Sequence, residues 1–166
     1  MKHNTLSQKT NTINKQLVMA FFVAMMLIGT AFTKANAATT TTVNSNAVAL
    51  FKEAYKNVSK VTWKTTKLFS KASFVQDGVA MEVFYNNNDG SLIATSKSIS
   101  FTTLPAAAIK YISKNYAAPN YTLKSCIEYT NSDNETSYYV SVEGTKATKV
   151  LEVSNNGSVS VFKTIK

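Results

Sequence analysis

The sequence is most telling in what it lacks. Of 166 residues, one is histidine (His3), one is cysteine (Cys126) and none is arginine. Nucleophilic catalysis by Ser–His or Cys–His pairs needs an imidazole base. His3 falls in an N-terminal segment with the features of a cleaved leader, so no such pair survives export. A single thiol leaves no internal disulfide. Without histidine or a cysteine cluster the usual zinc ligands are missing too. No catalytic residue, metal or cofactor is therefore expected. Arginine is the side chain that best forks onto phosphates and base edges. Its absence from an exported chain speaks against nucleic acid as a partner. Cys126 stands in the alternating run "YTLKSCIEY", where a lone thiol reads as a small packed residue rather than a reactive one.

The leader has three parts. Lys2, Lys9 and Lys15 form a positive, acid-free start, "LVMAFFVAMMLIGTAF" (Leu17 to Phe32) is an apolar run, and Ala35-Asn36-Ala37 is a small-x-small site. The run has 16 residues, short of the roughly 20 that span a bilayer. Cleavage after Ala37 is expected, with no stable membrane span afterwards and a periplasmic or secreted location. No cysteine follows the run, which excludes a lipidated N-terminus. The remaining 129 residues suit one compact domain with an adequate core.

Nine acids remain as possible catalysts: Glu53, Asp77, Glu82, Asp89, Glu128, Asp133, Glu135, Glu143 and Glu152. A glycosidase needs two of them facing each other across a sugar. Asp77, Asp89, Asp133 and Glu135 fall in apparent turns, where aspartate is favoured for backbone reasons. The reading is that the protein is not an enzyme.

Two stretches share one pattern: "VFYNNNDGSLIA" (Val83 to Ala94) and "LEVSNNGSVSV" (Leu151 to Val161). With Gly90 as the sixth residue of a calcium loop, the first and twelfth places fall on Tyr85 and Ser96, which carry no carboxylate. Both stretches read instead as β-hairpin tips, where Asn, Asp and Gly tolerate positive φ.

A polar N-terminus, residues 38–44, precedes apolar residues at helical spacing: Ala47, Val48, Phe51, Tyr55 and Val58, with Ser45 or Asn46 as cap. Four strand-like runs follow, "VTWKTT", "KLFSKASFV", "VAMEVFY" and "SLIATSKSI". "TLPAAAIKYISKNY" then restarts a helix with Pro105 in its first turn. "YTLKSCIEY", "SYYVSVE", "KATKVLEV" and "SVSVFKTI" complete the chain. One helix and four strands are thus written twice, over residues 45–100 and 101–166. "FKEAYKNVSKVTWK" and "IKYISKNYAAPNYTLK" align loosely between the two. Strand runs beside segregated helices imply an α+β layer pair, with helices on one face of an antiparallel sheet.

Trp63, "VFYNNNDGSLIA", the "LP" opening a helix that ends in "NY", and the pair "YYVSVE" and "VLEVSNNGSVSVF" resemble the PepSY-like, β-lactamase-inhibitor-like proteins secreted by bacteria of the Bacteroides and Flavobacterium lineages. The resemblance spans about Ala47 to Lys166. It implies two tandem helix-plus-four-strand units whose sheets join into one curved surface, the surface with which the inhibitors grip an enzyme. It carries over no functional residue, and fold alone does not imply that activity.

Alternation gives the candidate contacts. Tyr138, Val140 and Val142 should face the helices and Tyr139 the other way. Phe162 should join Tyr139 on an open face ringed by Lys124 and Glu128, an aromatic surface suited to a protein of the cell envelope. Charge gives the alternative. Residues 52–71 hold Lys52, Lys56, Lys60, Lys64, Lys67 and Lys71 against Glu53. That patch, with Lys64, Lys67 and Lys71 on the first strands, would suit an anionic ligand, glycan or lipid head group.

Overall fold

The computed structural model describes residues 42–166. The expected leader, its cleavage site and residues 38–41 lie outside the described residues. In chain order come α1 (Ser45–Ala54), β1 (Val61–Thr65), β2 (Phe69–Gln76), β3 (Val79–Asn86) and β4 (Leu92–Ser98). A 3₁₀ turn (Phe101–Thr103) leads to α2 (Ala106–Asn115). Then follow β5 (Tyr121–Asn131), β6 (Thr136–Gly144), β7 (Thr148–Val153) and β8 (Val159–Ile165). The eight strands form one antiparallel sheet in simple sequence order.

Local chemistry sets the turns. Asp77 and Gly78 both take positive φ, 51° and 79°, and close β2 onto β3 in two residues, as the twist of paired strands favours. The cap of α1 is Asn44, one residue before the expected Ser45, and its side chain accepts from the Asn46 amide. Pro105 is the cap residue of α2 and lies just outside the first turn.

Ladder register shows which residues share a face, because directly paired residues point the same way. Val61, Phe74, Met81, Lys97, Glu128, Tyr138, Val153 and Val159 form one row across all eight strands. Both helix-bearing cores touch that row. Ala47 and Phe51 of α1 cluster with Ala72, Phe74, Val83 and Tyr85. Ala108 and Ile112 of α2 cluster with Cys126, Val140, Val142, Leu151 and Val153. The helices therefore serve one face of the sheet, here called the first.

Each helix start rests on a hairpin tip. Asn44 Nδ2 donates to the carbonyls of Asn87 and Asn88, and Asn46 Nδ2 to that of Asp89. A Cβ on Gly90 (φ 74°) would lie 2.6 Å from the Ala47 amide nitrogen. At the other tip, a Cβ on Gly157 (φ 84°) would lie 2.9 Å from Ala107 Cβ. The repeated Asn-rich, Gly-bearing motif is thus a helix seat rather than an ion loop.

Candidate functional site

The second face runs along the alternate positions. Register groups Phe69, Lys71 and Ser73 of β2, Glu82 and Phe84 of β3, and Ala94 and Ser96 of β4. On the far strands it adds Ile127, Tyr129, Tyr139, Ser141, Val150 and Glu152. An antiparallel sheet with helices on one side ordinarily turns polar residues outward on the other. Here the second face carries aromatic and aliphatic side chains, and in the 166-residue chain all but Ser73 and Glu152 of these are buried.

Its polar groups are paired inside that apolar ground. Lys71 Nζ meets Glu82 Oε1 at 2.5 Å, with both side chains almost wholly out of water. Ser73 Oγ donates to the same oxygen at 3.3 Å. Glu82 Oε2 is buried without a hydrogen-bond partner. The Tyr139 hydroxyl donates to Glu152 Oε1 at 3.1 Å. Burial, together with the charge of Glu152, pushes the Tyr139 phenol far above the usual tyrosine range, and burial pushes Tyr129 up to about 12. Neither phenol can serve as a base near neutral pH. The rings interlock edge to face: Tyr139 lies 5.3 Å from Phe162 and 6.1 Å from Tyr129, and Phe69 5.4 Å from Phe84. Among the described residues no group of three acids and thiols is gathered to hold a metal ion.

The expected residues divide. Tyr139 and Phe162 come together on the side away from the helices, with Tyr139 3% exposed in the full chain. Glu128 does not ring them. It pairs in register with Tyr138 on the first face and bonds Lys97 at 2.8 Å. Lys124 sits at a bulge between Leu123 and Ser125 and is paired with Glu143. Lys64 and Lys67 are exposed as the lysine patch requires. Lys71 is not, because β2 turns it inward to Glu82. Phe69, Phe84, Ile127 and Val150 were not singled out from sequence, and Glu82 only as one of nine acids. The available signal was "VAMEVFY", apolar on both parities, as a strand covered on both faces should be.

No family model matches the sequence, and no curated protein matches it. Solved structures do. A BLIP-like protein from Bacteroides fragilis is 19% identical with a TM-score of 0.60, over 74% of this chain and 86% of its own. A DUF2874 family protein from Bacteroides ovatus is 16% identical with a TM-score of 0.61, over 72% and 88%. A protein from Bacteroides eggerthii, provisionally assigned to the periplasm, is 13% identical with a TM-score of 0.64, over 71% and 86%. At such identities the likeness speaks for the fold. It matches the β-lactamase-inhibitor-like part of the sequence resemblance and leaves the PepSY-like part without a counterpart. The chain has the fold of the BLIP-like and DUF2874 family proteins of Bacteroides.

Proposed function

We propose that this protein is an exported, non-catalytic binding module that engages, and thereby regulates or inhibits, another protein of the cell envelope through the second face of its sheet. One observation carries the reading: that face is built from Phe69, Phe84, Ile127, Tyr129, Tyr139 and Val150, although both described helices serve the other face. A sheet surface of this make-up is one made to be covered. The location is periplasmic or secreted, in keeping with the leader pattern and with the Bacteroides eggerthii neighbour. No described helix is long and apolar enough to cross a membrane. The lysine-patch alternative keeps Lys64 and Lys67 but loses Lys71 to its ion pair.

The architecture behind this surface is read as two units, 45–100 and 101–166, within one domain. Three correspondences support it. Ala47 and Ala108 are each the third residue of their helix and each lie against a hairpin glycine. Phe51 and Ile112 follow four residues later in the core. Tyr55 and Tyr116 end the helices. The helices align three residues away from the sequence-based match, which set Phe51 against Ile109.

The test is capture from the envelope fraction of the source organism, with protein recovered from the periplasm as bait. Phe162→Ala and the double change Tyr139→Ala, Phe162→Ala serve as controls, with melting curves to verify folding. A protein retained by the wild type, largely lost with folded Phe162→Ala and little affected by salt supports the reading. Equal retention by folded variants sinks it.

A further inference from the structure

A second surface lies on the first face, at the end of α2. Register makes the comparison that reveals it. Trp63–Ala72–Val83 in the N-terminal half corresponds to Cys126–Val140–Leu151 in the C-terminal half. One row further along, Val61–Phe74 corresponds to Leu123–Val142. In the N-terminal half the Phe74 ring fills the space below the helix, 5.2 Å from Phe51 and 4.8 Å from Tyr55. In the C-terminal half the matching places are Val142, Ile112 and Tyr116, and no ring stands at Val142.

The space left is a groove of about 460 Å³ along Ile112, Tyr116, Tyr121, Leu123 and Val142, with Phe101 and Ala117 among its walls. Ligand sites commonly fall between about 300 and 1,000 Å³. The walls carry no charged side chain, and Leu123 is 45% exposed. At the margin stands Lys149, paired in register with Val142. Its ammonium lies 5.5 Å from the centroids of both Tyr116 and Tyr121. The three salt bridges among the described residues join Lys71, Lys97 and Lys124 to acids, so Lys149 has no carboxylate across from it. An apolar trough beside an unneutralised, ring-held cation is complementary to a molecule with an apolar body and a negative head.

We propose that this groove binds a small anionic amphiphile, its apolar body against Tyr116, Leu123 and Val142 and its anionic head on the Lys149 ammonium. The site is separate from the second face, so it stands or falls independently of the protein-binding reading.

Calorimetric titration of periplasmic protein with sodium decanoate, decylamine and decanol tests it. Decanoate saturates one site per chain, and decylamine binds at least about tenfold more weakly. Lys149→Met costs decanoate about fivefold, the worth of an exposed charge contact, and leaves decanol unchanged. Ala117→Trp fills the trough from an exposed wall position without touching the core, and abolishes binding. Absence of saturable decanoate binding overturns the proposal. So does equal binding of decylamine, or decanoate binding indifferent to either substitution in a folded variant.

Discussion

Beneath α1 the sheet presents Trp63, Ala72 and Val83 side by side, and beneath α2 the same places hold Cys126, Val140 and Leu151. One half gathers its volume into a large ring beside a small neighbour, and the other spreads it over middling side chains. Both fill the row, as close packing demands. The next row does not balance: the place Phe74 holds in one half is held by Val142 in the other, and the groove is the difference. The second face differs as well. Lys71 and Glu82 occupy the places that Tyr139 and Val150 hold in the other half, while Phe84 answers to Glu152. The N-terminal half thus buries a full ion pair where the C-terminal half uses a phenol bonded to a half-buried carboxylate. The side chains at a few register positions decide which surfaces remain for contact.

The largest effect separates the two acids. Glu82→Gln leaves the Lys71 ammonium buried without its counter-charge, and breaking such a pair costs about 3 kcal/mol or more. Glu152→Gln keeps an acceptor for the Tyr139 hydroxyl and costs under about 1 kcal/mol. Urea unfolding of both variants measures the difference. Equal losses would mean that the two halves of the second face are held in the same way.

The hairpin glycines come next. Alanine at Gly90 meets the Ala47 amide and Asn44 Oδ1 as well as an unfavourable positive φ, for a loss of about 3 kcal/mol. At Gly157 the nearest atom is Ala107 Cβ at 2.9 Å, and about 2 kcal/mol is expected. Gly78 has φ 79° but nothing within 4 Å of an added Cβ. It reports the backbone term alone, about 1 kcal/mol. A Gly78→Ala loss as large as that of Gly90→Ala would show that the seats contribute nothing beyond φ.

The elements were legible because most strands alternate and most turns carry Asn, Asp or Gly; the β1–β2 turn, Thr66-Lys67-Leu68, carries none. The faces were legible in part. "SYYVSVE" correctly sent Tyr138, Val140 and Val142 to the helices. In "KSCIEY" alternation alone does not say which parity meets the helix, and the bulge at Leu123 and Ser125 breaks the count at Lys124. Lys71 looked like one more solvated lysine. Its burial follows from the Asp77-Gly78 turn, which sets Glu82 opposite Ser73 and diagonal to Lys71. The groove was out of reach, since it depends on matching rows from distant strands.

The smallest effect concerns the residue that stands in place of Trp63. Burial pushes the Cys126 thiol up to about 11 from its ordinary 9.0. Because the folded state holds the proton more tightly, the thiol's contribution is complete below about pH 9 and disappears as pH rises through about 11. Trp63 has no proton to lose, so the thiol's share of alkaline weakness belongs to the α2 core, while the raised Tyr55 and Tyr85 phenols give the α1 core its own. Melting curves between pH 8 and about 11 should show wild type losing a few degrees more than Cys126→Ala over that window, the loss from the raised Tyr85 and Tyr129 phenols being common to both proteins. If the two proteins decline in parallel, thiol burial is not what limits the C-terminal half at high pH.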